Sequence, residues 1–218
     1  MSKYSKKVYA CPVGWNILAI GKRPERSIQC NPCSSFIYPD DMIVFDSLVE
    51  HHKGFEFKIL EQAGIIQDLK HYEKFSFFDI YFDTDMNRVK WIPSADMKIY
   101  LSEYPDEQIK KTDIHLGAWH YESDFTFIQD RIKRVIEIKE INKNLISVSI
   151  KTTQGKVKIK QKSNRPFFTT QDPLSHFRKK CELMKAIYGI KVEIWAGNKI
   201  FKFDEKWRLK EVTNAHAS

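Results

Sequence analysis

The chain has 218 residues, 42% hydrophobic and 13% aromatic, the make-up of a folded protein with one substantial core. No stretch has the uninterrupted apolar length of a membrane span, and residues 1–26 lack a signal-peptide layout, so a cytoplasmic protein with no membrane partner is expected. Lys and Arg outnumber Asp and Glu by 36 to 28, with a pI near 9.2, and such a surface suits a polyanion, of which nucleic acid is the commonest.

Residues 1–40 show weak periodicity and carry Pro12, Gly14, Gly21, Pro24, Pro32 and Pro39. They read as short strands and loops, an N-terminal arm or small module ahead of a main domain over 41–218. Four cysteines, Cys11, Cys30, Cys33 and Cys181, are too few for a disulfide scaffold of this length. "CNPC" is a C-x-x-C pair to which Cys11 could add a third thiolate. A structural zinc site takes four ligands, and the fourth would be distant, from His51, His52 or Cys181, or absent. Free buried thiols are the competing reading.

"FDSLVEHHKGFEFKILEQAG" predicts a helix over 46–63, capped by Asp46 or Ser47 and stopped at Gly64. A 3.6-residue period puts Leu48, Phe55, Ile59 and Ala63 on one apolar stripe with Val49 and Leu60 beside it. Glu50 falls at its border, neither buried nor fully outward, while Glu56 sits nearer the middle and reads as structural, paired with a lysine. "KFSFFDIYF" predicts a strand. A long polar insertion follows over 83–118, with "DMKIYLSEY" as a further strand. "SDFTFI" and "RVIEIKE" predict an antiparallel hairpin, and "LISVSIKTTQGKVKIKQK", inside a second insertion over 141–170, predicts another turning near Gly155. "DPLSHFRKKCELMKAIYG" predicts a helix over 173–188, with Asp172 as cap, Pro173 in the first turn and Gly189 at its end. Short strands "IKVEIW" and "KIFKF" close the chain. The class is α/β: a mixed sheet flanked by two main helices, whose parallel pairing comes from the second helix crossing over between the strand of Lys139 and "KVEIW".

In "RVIEIKE", strand alternation sends Ile136 and Ile138 to one face and Val135, Glu137 and Lys139 to the other. One reading is an exposed strand with its charges in water; the other is an acid and a lysine over a reacting phosphate. Phosphodiester cleavage with a divalent metal needs carboxylates to hold hard Mg²⁺ and an ammonium to orient water or neutralise the phosphorane. The sequence offers Glu50 on the first helix, Asp124 in "YESDFTF", and Glu137 and Lys139 in "VIEIK". Alone, Glu50 reads as a solvated helix glutamate and Asp124 as a strand-edge acid satisfied by turn amides. The histidines at 51, 52, 71, 115, 120 and 176 share no metal spacing and read as surface or hydrogen-bonding residues.

This ordered set resembles the PD-(D/E)XK nuclease superfamily, in which a helix Glu precedes an Asp and a (D/E)-x-K. Residues 43–82, 119–140 and 172–195 are similar to phage-encoded small endonucleases, and the transposon-end-cleaving nuclease TnsA has the same order of elements. Ser123 stands where the superfamily often has Pro, Glu140 where Gly often follows the lysine, and a glutamine common after the first helix is replaced near Tyr72. The resemblance implies a restriction-endonuclease-like sheet with inserted hairpins and a Mg²⁺-dependent endodeoxyribonuclease, in which Mn²⁺ can substitute, encoded by a phage or transposon. It implies Asp124, Glu137 and the Ile138 carbonyl as metal ligands, Glu50 assisting, and Lys139 on the water or phosphate. DNA is the implied partner, with a second copy or a mobile-element protein beside it. Lys156, Lys158, Lys160, Arg178, Lys179 and Lys180 are the basic residues expected to flank the duplex, against a reading of the hairpin lysines as a merely solvated face. The alternative function is a catalytically silent module of the same fold that binds DNA or a protein partner.

Overall fold

In a computed structural model of the protein, residues 6–101, 107–141, 145–152, 155–162, 165–168 and 173–212 are described, the two strands between 145 and 162 by their backbone alone. The chain opens with β1 (Val8–Ala10), β2 (Ile17–Ile20), β3 (Ile28–Gln29), β4 (Phe36–Ile37) and β5 (Ile43–Phe45), followed by helix α1 (Leu48–Gln62). Strands β6 (Gln67–His71), β7 (Lys74–Asp83) and β8 (Arg88–Pro93) lead to a short helix α2 (Ala95–Leu101). Then come β9 (Ile114–Glu122), β10 (Phe125–Gln129), β11 (Ile132–Lys139), β12 (Leu145–Thr152) and β13 (Gly155–Lys162). Helix α3 (Leu174–Tyr188) and strands β14 (Glu193–Ala196), β15 (Lys199–Phe203) and β16 (Leu209–Val212) complete the order.

Six strands form the central sheet in the order β16-β15-β14-β11-β10-β6. It is mixed: β11 and β14 run parallel, Ile136 opposite Glu193, and the other ladders are antiparallel. The parallel pair needs a crossover, and α3 supplies it. The β10–β11 hairpin turns at Asp130 and Arg131, both with positive φ (52° and 64°), the handedness that matches strand twist. Its register pairs Phe125 with Ile136. One face of the sheet buries Phe125, Phe127, Ile136 and Ile138 against Phe57 of α1, and the other buries Val135 and Ile194 against Phe177, Cys181 and Met184 of α3. The α/β class, the mixed sheet and the two flanking helices therefore stand as expected. A second antiparallel sheet, β8-β7-β9, sends Phe75, Phe77 and Tyr121 into the α3-side core.

The first helix is where the sequence misleads. Its buried residues are Glu50, His51, Gly54 and Phe57, while Leu48, Val49 and Ile59 of the expected stripe are exposed. Gly54 is the reason: a Cβ there would lie 2.8 Å from the Phe125 ring and 3.0 Å from Phe45, so only glycine lets the helix approach on this side. Glu56 is exposed and pairs with Lys53, in line with its structural reading. Ser47 caps the helix, and Gly64 (φ 72°) follows its end.

Residues 95–101 are helical, not the expected strand: Ser94 Oγ accepts from the Met97 amide and its carbonyl from the Lys98 amide, a cap that starts a turn. The polar connection over 83–118 is likewise structured, by β8, α2 and the start of β9. At α3 the capping position is Pro173 rather than Asp172, which lies outside the described residues, and Gly189 ends the helix in the left-handed region. The hairpin expected near Gly155 is present as β12–β13. The segment before residue 41 is tied to the remainder of the chain: β1 pairs with β5, and Val8, Ala10 and Trp15 pack in the core of α1.

Candidate active site

The site lies where β10 begins and β11 ends. Asp124 immediately precedes β10, and the Phe125–Ile136 register sets it opposite Glu137, on the α3 side of the sheet. Its Oδ2 accepts from the Ile138 amide at 2.5 Å. Glu137 is buried: its Oε2 accepts from the Tyr121 hydroxyl at 2.9 Å and its Oε1 pairs with Lys139 Nζ at 2.6 Å. The Lys139 ammonium sits 5.8 Å and 5.7 Å from the rings of Phe168 and Phe177, close enough for cation–π attraction to help hold it.

Glu50 approaches from α1 and is buried, not at the helix border as expected. Its amide donates to Ser47 Oγ, its Oε2 accepts from the Asp46 amide at 3.1 Å, and its Oε1 lies 2.9 Å from His71 Nε2. The first two hydrogen bonds make Ser47-x-x-Glu50 a variant capping box. That S-x-x-E pattern was legible in the sequence. His71 was not, because only the β6–β10 ladder, which sets it opposite Phe125, brings it here. Tyr121 and the ring pair Phe168 and Phe177 were also missed, being placed by long-range packing.

Electrostatics separate this cluster from other buried acids. Loss of solvent, then the negative charges of Glu137 and Glu50, push the Asp124 carboxyl well above the usual carboxylate range, and neither the Ile138 amide nor Lys139 offsets them. Glu193, one strand over, is the counter-example. Burial would raise it, but Arg134 (2.7 and 2.5 Å) and Lys202 (2.9 Å) hold it below its ordinary value. Burial and the Glu137 charge raise the Tyr121 phenol far above its ordinary value, fixing it as a donor. The Tyr72 hydroxyl, buried without a hydrogen-bond partner, is raised by burial and by the charges of Glu50 and Asp46.

The four residues singled out in the sequence thus share one neighbourhood, with the acids at different depths. Asp124 and Glu137 face each other, while Glu50 acts on Asp124 through its charge. Among the described residues, the donor atoms of the three acids do not all come within 4.8 Å of one another; those of Cys11, Cys30 and Cys33 do. None of the fourth zinc ligands considered joins that trio: His51 Nε2 is 2.7 Å from the Trp15 carbonyl, His52 is exposed, and Cys181 lies in the α3 core. Of the expected DNA-flanking residues, Arg178 and Lys179 are exposed on the first turns of α3 and both pair with Glu182, and Lys180 is half-buried. Lys156, Lys158 and Lys160 take alternate positions in β13, their side chains outside the described residues. Among the described residues no helix is long and apolar enough to cross a membrane.

No protein-family profile, curated protein or solved structure matches the chain.

Proposed function

We propose that the chain is a metal-dependent endodeoxyribonuclease of the restriction-endonuclease-like type, hydrolysing phosphodiester bonds of DNA for a phage or transposon, at junctions or element ends. One observation carries this reading: Asp124 and Glu137 face each other across a hairpin, with Lys139 on Glu137 and the Asp124 charge opposed by its acidic neighbours. An oxygen-donor set short of positive charge fits a hard divalent cation. Asp124, Glu137 and the Ile138 carbonyl would hold Mg²⁺, or Mn²⁺ in its place. When bound, the ion supplies Lewis acidity and stabilises negative charge at the phosphate.

The chain's own residues do the rest. Tyr121 fixes the orientation of Glu137 through Oε2. Lys139 brings an ammonium to the phosphate or its attacking water. Glu50, anchored by His71 and the Asp46 amide, keeps a negative charge beside Asp124 that strengthens the site's demand for a cation. The basic residues of β13 and of the start of α3 flank the duplex.

A second reading rests on a different observation. Both Glu137 oxygens and both Glu50 oxygens already have protein partners. A cluster closed on itself in this way fits a silent module that keeps the fold and binds DNA, or a protein of a mobile-element complex. The deciding experiment is conversion of supercoiled plasmid with Mg²⁺ or Mn²⁺, with and without chelator. Metal-dependent nicking lost in Asp124→Asn supports the nuclease; DNA binding with no conversion under any metal supports the silent module.

A further inference from the structure

Away from the acids, the N-terminal segment repeats one turn twice. At the first, the Cys11 amide donates to the Asn16 carbonyl (2.9 Å) and the Trp15 amide to the Cys11 carbonyl (2.8 Å). At the second, the Cys30 amide donates to the Ser35 carbonyl (2.8 Å) and the Ser34 amide to the Cys30 carbonyl (2.7 Å). Trp15 and Ser34, at matching places, both take positive φ, 58° and 60°. "CPVGWN" and "CNPCSS" are therefore the same knuckle, and Cys30 and Cys33 of the second correspond to Cys11 and Gly14 of the first.

The two knuckles face each other. The sulfurs of Cys11, Cys30 and Cys33 lie within 4.8 Å of one another, with Cys11 and Cys33 at 3.6 Å, and all three are free thiols. A disulfide would need about 2.05 Å. Three thiolates on a tetrahedral zinc, each about 2.3 Å from the metal, would stand roughly 3.8 Å apart. The fourth corner falls to Gly14, which has no side chain. A Cβ at Gly14 would lie 2.8 Å from Asn16 Nδ2, so the Asn16 side chain borders the fourth corner and would have to turn aside for a cysteine there. Beyond it opens a cleft of about 320 Å³, lined by Val13, Gly14, Asn16, Cys33, Phe55 and Lys58 among others.

We infer that Cys11, Cys30 and Cys33 bind one zinc ion whose fourth coordination position, at Gly14, is open to a ligand from solvent. The site is independent of the acidic cluster and of the nuclease reading. It joins the two knuckles, and through the Trp15 carbonyl and His51 it is hydrogen-bonded to α1, one residue from Glu50. A thiophilic ion is required; three sulfurs do not suit Mg²⁺.

The test uses the full chain. Protein purified under reducing conditions and dialysed against Mg²⁺ buffer should retain one zinc per chain by elemental analysis, falling at least tenfold in Cys33→Ser. Cobalt substituted for zinc should show thiolate charge-transfer absorption, and added imidazole should shift its visible bands. In Gly14→Cys combined with Asn16→Ala, which supplies the fourth thiolate and removes the clash, imidazole should leave the bands unchanged and zinc should resist a competing chelator at least tenfold better. Unmodified protein with no bound zinc and all three thiols titratable overturns the site, as does a Cys11–Cys33 disulfide in fresh protein. Cobalt bands in the unmodified protein that ignore imidazole overturn the open position. Metal content and cobalt spectra of the unmodified chain stand even if a variant fails to fold.

Discussion

Two groups of buried charge on this chain are built from the same residue types and behave in opposite ways. In the β8-β7-β9 sheet, Lys90 Nζ lies 2.8 Å from Asp83 and 3.0 Å from Asp113, the three side chains almost fully buried. Backbone amides add to the pairing: Asp83 accepts from Asp85 and Met86, and Asp113 from Lys110. The Lys90 ammonium holds Asp83 below its ordinary pKa, and the Lys110 amide, with Lys90, does the same for Asp113. At the β10–β11 hairpin, Lys139 pairs with Glu137, and burial with the charges of Glu137 and Glu50 drives the Asp124 carboxyl upward. The first group is a charge-paired structural triad, with Asp113 Oδ1 buried and without a hydrogen-bond partner, whereas in the second the Asp124 charge is left undercompensated. Burial of charge alone does not mark a functional site. Incomplete compensation makes a buried cluster a candidate.

The sharpest way to break this contrast is to remove one acid from the second group. Asp124→Asn should lower plasmid cleavage roughly a thousandfold, the loss of several kcal/mol of charge stabilisation, while DNA affinity stays level or rises slightly. Cleavage at the parent rate would remove Asp124 from the chemistry. Lys139→Ala should lose activity with metal binding largely kept, read by isothermal calorimetry.

The same exercise on the triad should cost stability instead. Lys90→Met leaves two buried carboxylates facing each other and should lower the melting temperature by more than about 5 °C. Adding Asp83→Asn and Asp113→Asn should recover part of that loss. A single variant that melts with the parent would show the triad to be solvated and dispensable.

Acidity distinguishes the groups by sign. Asp124 has a raised folded pKa, so its ionisation opposes folding increasingly as pH rises above the ordinary value of about 3.9. In chelator, Asp124→Asn should therefore melt higher than the parent at pH 7, by roughly 2–4 °C, with the gap closing as pH falls toward 4. Asp83 and Asp113 have lowered folded values, so their stabilisation is complete above the ordinary range and is lost as pH falls through the lowered ones. Differential scanning fluorimetry across pH 3–8 reads both trends.

The smallest expected effect concerns the lysines of β13. Alanine at Lys156, Lys158 and Lys160 should flatten the log–log dependence of DNA affinity on salt by about 0.9 for each phosphate left without its lysine, with little change in sequence preference. An unchanged slope would make β13 a solvated strand and move the DNA path toward the N-terminal segment.

Much of this molecule could be read from local signals. Ser47 and Gly64 bound α1, Gly189 ends α3, and alternation in "RVIEIK" sorted Glu137 and Lys139 onto one face. What escaped depended on partners far away in sequence. The buried face of α1 is set by Gly54 against Phe125, and its polar members Glu50 and His51 bond to His71, the Asp46 amide and the Trp15 carbonyl, so apolar periodicity picked the wrong stripe. Met97, Ile99 and Leu101 alternate as in a strand, yet Met97 is buried and Ile99 is 81% exposed because the Ser94 cap winds them into a helix. Tyr121 and His71 reach the acids through ladder registers that no single segment encodes.

The parallel pairing of β11 with β14 also has a consequence in time. Asp124 and Glu137 belong to one hairpin closed by a two-residue turn, a unit that forms on the order of microseconds. Ile136 meets Glu193 only after β12, β13 and α3 have been bridged, and such long-range pairing is slow. Glu137 therefore acquires its neighbour Asp124 early, whereas Phe177, whose ring flanks Lys139, arrives with α3 in the late step. A refolding experiment that follows both should see the acids brought together well before the lysine is seated.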